Sequence, residues 1–314
     1  MANRTSHIRK SVRDQEAGVS LLELMASLFV MIIAGGVVVG ALIGMTKTQG
    51  TISNRTEMHS SIRSATELLE QEIGQAGGVA LPGNVSLAAA TAVGSQTVTV
   101  SSTAAGNSTS GMFVGELITV DTGANQETVA LTAVSSSQIT ATFSLAHVTG
   151  SSVVALGGFG SGVVPPSVTN GSTGSILKIF GNINGDGKMV YVEYKCDTAG
   201  GNLYRNSMAY DAASKPALSS GLVLLPNILA NPGGAACFTY QTETVAGSDY
   251  VIDVAVTLTA QTQVVDPQTG SFQQETKALL NVSPRNVFEV WNAASLGITN
   301  RVQPMPATVT SLLP

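Results

Sequence analysis

From Leu24 to Thr46 the chain is almost wholly apolar and carries no charged residue. About 20 such residues cross the hydrocarbon of a bilayer as a helix, so a membrane span is predicted within 19–45. Beyond it the apolar positions become one-sided. Ile52, Ile62, Leu69 and Ile73 recur at multiples of three to four, and Arg63 and Glu67 form an i,i+4 pair on the polar side. Ala76-Gly77-Gly78 followed by Leu81-Pro82-Gly83 is a strong stop. The pattern therefore predicts one helix over 19–77, about 87 Å long at 1.5 Å per residue.

The pattern then changes period. From Ser64 to Ser175 there is no Lys or Arg, and Thr, Ser, Val, Ala and Gly dominate. Thr97–Val100, Glu116–Val120 and Gln138–Phe143 alternate between apolar and polar residues, bounded by Gly, Asn or Ser. These are strand and turn signals, and 84–157 reads as a small all-β module inserted after the helix. A second β region is expected over 163–290. Its pieces are Ser175–Phe180, Lys188–Cys196, Leu203–Asn206, Ala236–Thr242, Tyr250–Thr262 and Phe272–Val282. From Trp291 on, Pro304, Pro306 and Pro314 suggest an irregular tail over 291–314. The fold class is α+β: a long N-terminal helix on an antiparallel sheet domain.

Charge orients the span. Arg4, Arg9, Lys10 and Arg13 lie ahead of it, and basic flanks stay cytoplasmic, so the rest of the chain is expected on the other side. Glu23 lies alone at the start of the apolar run, where a carboxylate is costly and implies a partner. A secretory signal peptide would have a shorter core and a small-residue cleavage site after it. Here the run ends in Gly44-Met45-Thr46-Lys47. An ordinary anchor explains the run but not the acid five residues past Gly18. Gly36, Gly40 and Gly44 recur every fourth position, a spacing that admits close helix packing in membranes.

The stretch Gly18-Val19-Ser20-Leu21-Leu22-Glu23-Leu24, with its basic leader and uninterrupted apolar helix, resembles the N-terminus of type IV prepilins and pseudopilins. The resemblance implies a leader over 1–18, cut by a prepilin peptidase between Gly18 and Val19. It further implies N-methylation of Val19 and assembly into a helical filament, with Glu23 neutralising the Val19 amine of a neighbour. Val19 departs from the Phe that often starts the mature chain. The passage from Arg63 to Gly77, the segment NINGDGKMVYVEY, then NLYR, and NVSPRNV near 281–287 resemble PilW-type minor pilins, with J-type minor pseudopilins as close relatives. The pieces GELITVDTGANQETV and ITATFSLAHVTGSSV resemble β-modules of bacterial surface and phage structural proteins, a likeness that implies no activity. Implied partners are other pilin subunits, the assembly machinery, the peptidase and the inner membrane. The implied location is the inner membrane, with a cytoplasmic N-terminus and a periplasmic C-terminal part, and then the cell surface.

Cys196 and Cys237 are the two cysteines. An even count in an oxidising compartment reads as a disulfide, with two separate buried thiols as the alternative. Asn182, Asn184 and Asp186, followed by Gly187 and by Glu193 at the twelfth position, nearly match a calcium loop. A strand rather than a helix follows, however, and Asn-Gly-Asp-Gly is equally a hairpin turn. His7, His59 and His147 have no nucleophile motif, phosphate loop or metal cluster around them in sequence. His147 reads as a surface or loop histidine, and neither an enzyme nor a cofactor other than that calcium is expected. Net charge is −5 and the leader is net basic, so the remainder is acidic and broad nucleic-acid binding is disfavoured. Two function classes follow. One is a structural filament subunit, either a minor pilin that primes or caps a type IV pilus or a minor pseudopilin of type II secretion. The other is an adhesin or binding module exported by the pilin route.

Overall fold

The computed structural model describes residues 20–314. Helix α1 runs from Leu21 to Gln75, about 82 Å at 1.5 Å per residue. Its two halves live in different surroundings. Between Leu21 and Met45 the side chains are all exposed, whereas Met58, Ile62, Ala65, Leu69 and Ile73 are buried. The packed face thus begins at Met58, and Ile52, which shares the apolar spacing, remains 60% exposed.

Past α1 come β1 (Val85–Leu87), β2 (Gly94–Ser102), β3 (Leu117–Val120), β4 (Glu127–Val134), β5 (Gln138–Phe143) and β6 (Ser152–Ala155). They close into a barrel in the order β1-β2-β5-β4-β3-β6, every neighbour antiparallel. Alternate residues such as Val98, Val100, Ile118, Val120, Leu131, Ile139 and Phe143 fill it. Closure leaves the module no unpaired sheet edge.

After β7 (Gly158–Phe159) the chain builds β8 (Ile176–Gly181), β9 (Val190–Asp197), β10 (Asn202–Ala209) and β11 (Val223–Pro226), a sheet in the order β11-β10-β9-β8. Next come β12 (Ile228–Leu229), β13 (Phe238–Val245), β14 (Ser248–Gln261) and β15 (Gln274–Val282), with β14 pairing all three others. Ile62, Leu69 and Ile73 of α1 share one core with Leu177, Ile179, Val192 and Tyr194 of the first sheet and Val254 and Val256 of the second. The molecule is α+β: a long apolar N-terminal helix with antiparallel sheets.

The C-terminal part corrects the expected irregular tail. The residues from Arg285 to Ser295 form α2, β16 (Val302–Gln303) pairs parallel with β7, and α3 spans Ala307–Leu312. Val309, Leu312 and Leu313 are buried against Phe159, Phe180 and Tyr191. Pro284 precedes α2 and Pro306 precedes α3, at the helix edge, where a missing N–H costs no helix hydrogen bond. Of the three prolines that suggested irregularity, Pro306 thus marks a helix start.

Candidate functional site

Gly18 and Val19, the expected cleavage and methylation positions, lie outside the described residues. Glu23 falls in the first turn of α1. Among the described residues its carboxylate has no hydrogen-bond or ion-pair partner, and it is surrounded by exposed apolar side chains such as Leu21, Leu22 and Leu24. Gly36, Gly40 and Gly44 have open space where a Cβ would stand, so the small-residue stripe is unoccupied within one chain. This half of α1 is long and apolar enough to cross a membrane.

The other end of α1 is fixed by groups that the sequence pattern does not announce. Glu72, 4% exposed, accepts from the Tyr194 hydroxyl at 2.5 Å and from Arg205 Nε at 3.1 Å, with Arg205 Nη2 also bonded. Burial lowers the Arg205 pKa, but the Glu72 carboxylate outweighs it and leaves the guanidinium above its ordinary value. An acid on the apolar face of a helix was the available signal. At the helix end Gly77 has φ +84°, its N–H donates to Phe180 O at 2.9 Å and its carbonyl accepts from Phe159 N at 2.8 Å. A Cβ there would stand 2.8 Å from the Phe159 carbonyl oxygen, so glycine is required by both conformation and space.

Cys196 on β9 and Cys237 just before β13 are bonded, with Cα atoms 6.4 Å apart. The bond joins the two sheets that α1 packs across.

Of the residues named for a calcium loop, Asn182, Asn184 and Asp186 lie in the turn between β8 and β9, and Glu193 in β9. Asn182 Oδ1 accepts from Gly187 N at 3.2 Å and Asp186 Oδ1 from Lys188 N at 3.0 Å, so both carboxamide and carboxylate close the hairpin turn on itself. Glu193 lies within β9, where it accepts from Lys215 Nζ at 2.9 Å and the Tyr191 hydroxyl at 3.0 Å. Its second ammonium neighbour is the buried Lys178, 3.8 Å away. Glu193 thus faces two ammonium groups, and residues 182–187 form the turn between the antiparallel β8 and β9.

Of the surface-or-loop reading of His147 the loop half holds, since it lies between β5 and β6, and the surface half is corrected. It is 2% exposed. Nδ1 stands 3.3 Å from Asp121 Oδ2 and Nε2 2.7 Å from Glu127 Oε1. Asp121 also accepts from its neighbouring amide at Thr122 and from Ser151 Oγ, and these contacts hold it below the usual carboxylate range. Burial raises Glu127, but the Ser144 amide, the ring and the Leu145 amide together keep it low. The acids lie 26 and 20 residues away in sequence, so no local spacing reveals them. The two ring nitrogens point to opposite acids, a geometry that cannot converge on one metal ion. Ser151 donates to Asp121 rather than to the ring, so the order of a hydrolase triad is not formed. The cluster acts as a polar bridge tying the 144–151 segment to the β3–β4 hairpin.

Glu116, ahead of β3, is fully buried beside the C-terminal segment. Among the described residues its Oε1 has no partner, and burial pushes its carboxyl up to about 8, opposed by the Phe113 amide. The adjacent Leu117 is bridged by Gln303, whose amide bonds both the N–H and the carbonyl of Leu117 at 2.9 and 2.8 Å. This pair of contacts fastens the barrel to the C-terminal segment.

Compared with known proteins, the chain matches no protein-family model, no curated protein and no solved structure.

Proposed function

We propose that this chain is a minor pilin, a structural subunit that takes part in assembling a type IV pilus rather than an enzyme. The observation that carries the reading is the division of α1. One half is apolar, exposed and marked by the single acid Glu23, and the other is locked onto sheets by Glu72, Arg205 and a shared core. A helix that must first reside in lipid and later pack among identical helices needs this division. In both places water is excluded, and Glu23 then requires a cation. The amine of a processed Val19 on a neighbouring subunit would supply it. Single-span residence in the inner membrane, with the sheets and barrel on the periplasmic side, precedes assembly in this reading.

Intact-mass analysis of protein purified from membranes tests it. The expected mature chain starts at Val19, and a chain starting elsewhere, for instance beyond Met45, sinks the reading. Glu23→Ala should still insert into the membrane, since removing a charge eases burial, while its incorporation into filaments falls. Normal incorporation would refute the role given to Glu23.

A further inference from the structure

The loop between β14 and β15 descends along α1 toward the apolar half in a regular ladder. Glu275 meets His59, and Gln273 meets Arg55. Asp266 Oδ1 accepts from Thr51 Oγ1 at 2.5 Å, and Gln268 Nε2 donates to Thr48 Oγ1 at 2.8 Å. Successive helix contacts are about one turn apart: Glu275 opens the series from β15, and the loop's own contacts run from Arg55 to Thr48, about two turns or 10 Å. Pro267 rests against Gly50, where a Cβ would come within 3.1 Å of its Cγ. The lowest contact, Thr48, is two residues past Thr46, the end of the charge-free run, or about 3 Å along the helix axis.

The loop's outward face is uncharged. Asp266 is the only ionisable residue between Gln263 and Gln273. It is fully buried, and Thr51, then the Gln268 amide, hold it down to about 2. Val264, Val265 and Phe272 meanwhile stand 54%, 44% and 44% exposed. The headgroup layer of one leaflet is about 5–8 Å thick, half the difference between the hydrocarbon core and the whole bilayer. The loop's lower contacts, at Thr48 and Thr51, stand about 3 and 8 Å beyond the end of the charge-free run and so reach that layer, whereas Gln273 beside Phe272 meets Arg55 about 14 Å out, so seating Phe272 there calls for a helix tilt toward the loop at the upper end of the range of about 0–40°.

We propose that residues 263–272 form a second membrane contact, in which Val264, Val265 and Phe272 seat at the headgroup boundary of the leaflet from which α1 emerges. The inference rests on α1 being a span. The contact would set the tilt and rotation of the globular part before the subunit leaves the bilayer. Charge-free apolar tips suit an interface that a carboxylate would oppose, which accounts for Asp266 being turned onto the helix.

The test uses the full chain in nanodiscs of phosphatidylethanolamine and phosphatidylglycerol containing dibrominated phosphatidylcholine. In a Trp291→Phe background, single indoles are introduced by Phe272→Trp, Val264→Trp, Val39→Trp within the span and Phe288→Trp on α2. The expected result is blue-shifted emission and at least two-fold stronger quenching for Phe272→Trp and Val264→Trp than for Phe288→Trp. Loop indoles that match Phe288→Trp while Val39→Trp is quenched overturn the contact and leave the span intact. An unquenched Val39→Trp overturns the span and the inference with it. Shielding that appears only at high protein-to-lipid ratio identifies a second copy as the occupant and overturns the lipid assignment. Should the background variant misfold, a photoactivatable phospholipid can be cross-linked to the unmodified chain. Adducts within 263–272 are then expected, and adducts confined to α1 overturn the proposal.

Discussion

Glu72 and Glu116 are both buried carboxylates with different neighbours. Glu72 accepts from a guanidinium and a phenol. Removing one partner of such a pair leaves the other uncompensated. Glu72→Gln should destabilise the chain by about 3 kcal/mol, whereas Glu70→Gln on the exposed face should stay within about 0.5 kcal/mol. Urea midpoints of both variants check this. Among the described residues Glu116 has no ion-pair partner, and burial raises its carboxyl to about 8. A pKa raised on folding contributes stability that is complete below the unfolded value and is lost as pH rises through the folded one. Stability should therefore fall between about pH 4.5 and pH 8, by up to about 5 kcal/mol for this group. In Glu116→Gln that component of the slope should vanish. A wild-type and variant pair with parallel stability profiles from pH 5 to 9 would show that Glu116 does not titrate in this window.

Among the elements, α1 depends on two sheets that must stay together to receive it. The Cys196–Cys237 bond closes a separation of 41 residues across those sheets, worth about 4 kcal/mol in the chain-entropy description. Protein from the envelope should differ in mass from its reduced form by two hydrogens, and Cys237→Ser should lower the urea midpoint by a matching amount. Loss of the bond should also loosen α1, read as faster amide exchange at Leu69 and Ile73, because both side chains lie in the core that the bond helps hold. The C-terminal helix α3 is a smaller example of the same dependence. Leu312 is 2% exposed, and Leu312→Ala should cost about 2–5 kcal/mol. A cost near zero by the same denaturation measurement would mean that α3 is not docked in solution.

At the scale of the whole molecule, the closed barrel is bulk added beside the sheets that hold α1. Repeated at every helical step of a filament, that bulk would crowd its neighbours, while a terminal position would leave it free. A terminal subunit should be scarce, and its deletion should reduce filament number without changing filament thickness. Quantitative mass spectrometry of sheared filaments measures this directly. Dominance of this chain in the filament would make it the shaft subunit and reject the minor-pilin reading.

The sequence alone was sufficient for the elements whose cause is local. An uncharged apolar run must be a helix in lipid, because no other single segment satisfies its own backbone there. Alternation places Val98, Ile118, Ile139 and Val192 on inward faces because side chains in a strand have period two. A helix stop at Gly77-Gly78 and a hairpin at Asn182–Gly187 are likewise written in residues that adopt those conformations by themselves. Only the tertiary structure decided which polar groups meet. His147 finds its acids 26 and 20 residues away, Glu72 finds Arg205 at a separation of 133, and Asp266 finds Thr51 at 215. It also turned a proline-rich tail into docked helices and engaged Glu193 with two lysines. Local pattern reports what a segment does alone, whereas burial of a charge is settled by what the rest of the chain brings to it.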